Sequence, residues 1–139
     1  MDLVSQKGRQ SWLTVFGAGA LFAVPGLILA SLLSHDTAFG FLAILLGMIA
    51  SVYLGFALQD GRVAALGVEY VGLIIFAAVA TVSLAEDSAV LLALGYFGHG
   101  IWDGIHHPRG VDTAMPWWYV PLCMSFDAVV AVYVLIRFA

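Results

Sequence analysis

Five apolar runs, each close to 20 residues long and separated by short polar turns, constrain this chain more than any other feature. Only 10% of the 139 residues are charged and 63% are hydrophobic. A soluble domain carries about 25% charged residues. With a mean hydropathy of +1.02, the composition predicts an all-α integral membrane bundle of five transmembrane helices in a single domain, residues 1–139. The spans are expected at about 12–33, 38–58, 63–84, 89–107 and 115–136. The net charge of −4 offers no basic surface for nucleic acid. One cysteine, Cys123, excludes an internal disulfide. Lys7 and Arg9 precede the first apolar run as in a signal peptide, but that run is about twice the length of a signal core, so it reads as a retained span.

The turns carry the polar residues. Ser34-His35-Asp36-Thr37 follows the first span, Gln59-Asp60-Gly61-Arg62 the second and Glu86-Asp87-Ser88 the third. Pro108-Arg109-Gly110 stops the fourth, and Trp117, Trp118 and Tyr119 open the fifth as an interface belt. Lys7, Arg9, Arg62 and Arg109 fall on one side of the membrane and Arg137 on the other. That bias predicts a cytoplasmic N-terminus and a C-terminus outside. Tyr53-Leu54-Gly55-Phe56-Ala57-Leu58-Gln59-Asp60-Gly61 shares a Tyr-x-Gly-x-x-(Leu/Ile)-x-Asp-Gly pattern with the stretch from Tyr96 to Gly104. The pattern fits two parallel two-helix repeats plus one helix. Coincidence in a Gly-rich, Leu-rich chain is the alternative.

Three of the four histidines end the fourth span. On a helix, His99, Asp103, His106 and His107 fall within roughly a 100° arc, with Tyr96 on the same side. Glu69 and Asp127 lie inside neighbouring spans. Counted from the span ends at about 1.5 Å per residue, all these groups occupy one half of the bilayer. Ionisable groups there are costly and point to function. The i, i+4, i+7 spacing of His99, Asp103 and His106 suits a divalent metal. Zinc is the first choice and iron or manganese the alternatives, since imidazole and carboxylate together favour these over magnesium or calcium. Glu69 and Asp127 are the expected catalytic carboxylates, either able to act as general base. Asp60, Tyr96 and His107 are expected as supporting or additional ligands.

These readings lead to an expected membrane-embedded, metal-dependent hydrolase acting on a lipid-like or small hydrophobic substrate from the cytoplasmic side. The same ligands on iron would also suit oxygen-dependent chemistry. The rival is a proton-coupled transporter or channel using Glu69, Asp103 and Asp127; a third reading is a structural membrane subunit. Membrane lipid is the expected partner, and a homo-oligomer stays open. Haem is disfavoured, because three histidines share one helix end and His35 lies at the opposite side.

The Gln59-Asp60-Gly61-Arg62 turn and the His-x-x-x-Asp-x-x-His-His ending at His99–His107 resemble an uncharacterised family of small bacterial multi-pass membrane proteins. That resemblance implies location in the bacterial inner (plasma) membrane and no known activity. The His/Asp spacing is also loosely similar to the sites of membrane hydrolases of the ceramidase–receptor type. Those chains have seven spans, whereas this one has five, and no serine here can be matched to theirs.

Overall fold

The computed structural model describes residues 3–106 and 111–139. Among these the chain is all-helical, with no strand: α1 (Leu3–Leu32), α2 (His35–Asp60), α3 (Val63–Ala85), α4 (Ala89–Ile105) and α5 (Tyr119–Phe138). Residues 11–32 of α1 and the whole of α2, α3 and α5 are long and apolar enough to cross a membrane. The 17-residue α4 is roughly 26 Å long, at the lower edge of what spans a bilayer.

The helix ends follow local chemistry. The apolar runs continue into their polar flanks because helical hydrogen bonding does not stop at the membrane surface. Thus α1 begins before Trp12, and α2 takes in both His35 and Asp60. Gly61, at φ 75°, closes α2 by donating its N–H to Ala57 O at 3.0 Å, a left-handed cap that suits glycine. Ser88 opens α4 by accepting from Leu91 N at 3.2 Å. The fifth helix starts at Tyr119, later than the expected 115, and Pro121 sits in its first turn, where no helical donor is lost.

Around the bundle the order of neighbours is α1, α5, α4, α3, α2, with α2 also touching α4 across the middle. Leu42, Leu46, Leu92, Tyr96, Val130 and Val134 form the fully buried centre. Tyr96 Oη donates to Leu42 O at 2.7 Å. That bond uses the carbonyl of a residue deep in α2 and locks α4 to it. Gly19 brings α1 against α5, since a Cβ there would strike Leu122 O and Ser125 Oγ. On the outside, Leu21, Phe22, Ile44, Ile101 and Ile136 are more than half exposed. An apolar exterior around a polar-seeded interior is the pattern of a multi-pass membrane bundle, because lipid, unlike water, solvates these side chains.

Candidate functional site

The antiparallel run of the chain brings the end of α2, the start of α3, the end of α4 and the start of α5 to one end of the bundle. Tyr53, Glu69, His99 and Asp127 lie roughly 9–12 Å in from those four helix ends. All four are buried, as are Asp103 and His106. One residue from each of α2, α3 and α5 therefore meets His99 at a similar depth, and Asp103 and the α4 cap residue His106 follow it toward the bundle end.

Two carboxylate–imidazole pairs result. His99 Nδ1 is 2.7 Å from Asp127 Oδ2 and 3.7 Å from Asp103 Oδ1. His106 Nε2 is 2.8 Å from Glu69 Oε1, and its Nδ1 is 2.7 Å from Trp102 O. Both partners of His106 are oxygens. Bonding to both needs two protons on the ring, or one on the ring and one on Glu69. Thr113 Oγ1 adds a second hydrogen bond to Glu69 Oε1 at 2.5 Å.

Tyr53 joins the two halves. Its hydroxyl donates to Asp103 Oδ1 at 2.5 Å. Its ring lies 4.5 Å from the His106 ring and 5.8 Å from the His99 ring, centroid to centroid. Phe76 and Trp102 close the other sides of the two imidazoles. Within this shell Glu69 Oε2, His99 Nε2, Asp103 Oδ2 and Asp127 Oδ1 are buried and find no hydrogen-bond partner among the described residues. A buried polar atom left without a partner costs on the order of 1–3 kcal/mol, more if charged. Four of them in one place are a feature that packing alone does not explain.

His99, Asp103 and Asp127 each offer a ligand atom, and these atoms lie within 4.8 Å of one another. The trio differs from the expected His99, Asp103 and His106. His106 follows Asp103 by three residues, yet its ring turns toward α3, where Glu69 engages it. Asp127, reached from α5, stands beside His99 instead. Glu69 is thus paired with His106 rather than with the trio. Tyr96 points to the α2 backbone, where its hydroxyl is taken by Leu42 O. His107 lies outside the described residues.

Asp60 sits apart, at the rim. Arg62 Nε and Nη2 clamp its two carboxylate oxygens at 2.5 and 2.7 Å. The same guanidinium reaches Asp112 Oδ2 at 2.8 Å and also the Asp112 carbonyl. Hydrogen bonds to Asp60 first and Asp112 second raise the Arg62 pKa above its ordinary value. Ala114 N completes the clamp on Asp60 Oδ2 at 2.8 Å. The turn between α2 and α3 thereby holds residues 112–114 in place, and Thr113 in that stretch reaches Glu69.

Two contributors were not singled out from the sequence. Tyr53 carried a signal, since it matches Tyr96 in the repeat pattern, but the two tyrosines do different jobs. Thr113 carried none, because a hydroxyl in a loop says nothing about which helix it will meet.

No curated protein and no solved structure matches the chain. Residues 14–138 match a family of unknown function, DUF6010, and the chain belongs to that family.

Proposed function

We propose that this protein is a membrane-embedded, metal-dependent hydrolase acting on a lipid-like or small hydrophobic substrate. The observation that carries the reading is the buried convergence of His99, Asp103 and Asp127 within 4.8 Å, with unpartnered atoms on all three. Two acidic groups this close in an apolar bundle repel each other and lack solvation. A divalent cation offsets both costs. Zinc, iron or manganese fit a donor set of one imidazole and two carboxylates better than magnesium or calcium do.

When bound, such a cation polarises the scissile group and lowers the pKa of its water toward about 7. The chain's own residues supply the rest. Tyr53 fixes the carboxylate of Asp103, and Asp127 and His99 fix each other. Glu69 is the proton acceptor, because its Oε2 makes no hydrogen bond among the described residues while Oε1 is anchored by His106 and Thr113. Water adds to the carbonyl or phosphoryl centre, its proton passes to Glu69, and the bond to the leaving group breaks as that group takes a proton from the His106 side. We place this half of the bundle toward the cytoplasm, where Lys7, Arg9, Arg62 and Arg109 bias the topology.

Reconstituted protein tests the reading directly. It should hydrolyse members of a panel of acyl esters and amides, lose that activity with chelator and recover it with one added metal. Proton-driven flux in sealed liposomes that Glu69→Gln abolishes, without any metal-dependent hydrolysis, would replace it with the transport reading.

A further inference from the structure

Each member of the trio is followed in sequence by a small residue: His99 by Gly100, Asp103 by Gly104 and Asp127 by Ala128. One step along a helix turns the side chain by about 100°. The three functional groups therefore face the interior, and their three successors face the flank between α1, α4 and α5. There they line an open-sided groove of about 450 Å³ whose side walls include Phe16, Phe97 and Ile101. A Cβ built on Gly100 would stand 3.6 Å from Asp127 Cβ, so one layer of backbone separates the groove from the carboxylates. Larger residues at these three positions would fill the groove.

The lining offers no side-chain donor, and its one acceptor is the weak thioether of Met124. Ile101 is 69% exposed on the face turned to lipid. The volume lies toward the small end of ligand sites, which run from about 300 to 1,000 Å³. The groove extends along α4 from Phe97 to Ile105, toward the bundle end that carries His106 and Thr113.

We infer that this groove seats the hydrocarbon tail of a single-chain acyl amphiphile, whose polar head reaches the His99–Asp103–Asp127 site at the bundle end that carries His106 and Thr113. The inference rests on the hydrolase reading and names its substrate class. The tail enters sideways from the bilayer. Burial of apolar surface supplies binding, and the shared backbone wall sets the distance from tail to reacting bond.

The probe is a diazirine-bearing palmitic acid, photolysed with the full-length protein in phosphatidylcholine nanodiscs and mapped by mass spectrometry. Labels are expected on Phe97, Ile101 and Met124. Ala128→Phe, which fills the groove, should cut them at least about tenfold, and Ile44→Phe, on the far flank, should leave them unchanged. Ile101→Trp repeats the test at an exposed position whose replacement leaves the core intact. Equal labelling of Ile44 and the groove, or displacement by excess phosphatidylcholine, would show ordinary lipid contact and overturn the inference. Metal content measured on the same samples separates the two claims. Groove labelling on metal-free protein would sink the hydrolase reading alone, and metal-loaded protein without groove labelling would sink this inference alone.

Discussion

Asp127 on α5 and His99 on α4 meet at 2.7 Å with neither side chain touching solvent. No other ion pair joins these two helices among the described residues, so this contact fixes the rotation of α5 against α4 at the level of the site. Removing either partner strands the other. His99→Ala or Asp127→Leu is expected to cost about 3–5 kcal/mol, the range for half of a buried pair. Denaturation in detergent checks this, and His99→Leu combined with Asp127→Leu should be less harmful than the sum of the single changes.

The two repeat-related tyrosines should separate cleanly. Tyr53→Phe removes a hydrogen bond to a carboxylate, worth about 1.5–3 kcal/mol, and should weaken metal binding by about 10–100-fold. Tyr96→Phe removes a bond to the Leu42 carbonyl, worth about 1 kcal/mol, and should leave metal affinity unchanged. Metal titration of both variants in parallel is the measurement.

Arg62 straps residues 112–114 to the α2–α3 turn from a half-exposed position. Arg62→Ala should speed amide exchange in residues 111–118 and leave protection in the middle of α2 and α5 untouched. Equal loss of protection throughout would mean that the clamp supports the whole bundle.

Close packing of α1 on α5 passes through Gly19. Gly19→Ala puts a methyl against the Leu122 carbonyl, where backbone must move, and should destabilise by about 1–3 kcal/mol. Gly26→Ala, with nothing within 4 Å of its Cβ, should be neutral or stabilising, as expected for alanine in a helix. Thermal unfolding of the pair checks the packing of α1.

The helices were legible because lipid imposes one demand along the whole chain: an apolar run long enough to satisfy its own backbone. Glu69, His99, Asp103 and Asp127 stood out for the same reason, as charges where none is cheap. Their common depth also followed from counting residues. Pairing was less legible. Periodicity put His99, Asp103 and His106 on one face of α4, but a face about 100° wide meets two neighbours. The actual partners were decided by which helix lies where, with α3 taking His106 and α5 taking His99. Asp60 looked like a support for the cluster because it lies at the rim of the same half of the bilayer. Its position at the last turn of α2 instead leaves it within reach of Arg62, two residues on.

The claim that His99, Asp103 and Asp127 together hold a divalent cation is tested most directly by elemental analysis of the detergent-purified protein beside His99→Ala. About one zinc, iron or manganese per wild-type chain, absent from the variant, is the expected result. Wild-type protein that carries none of these metals, and takes up none when each is supplied in turn, would contradict it.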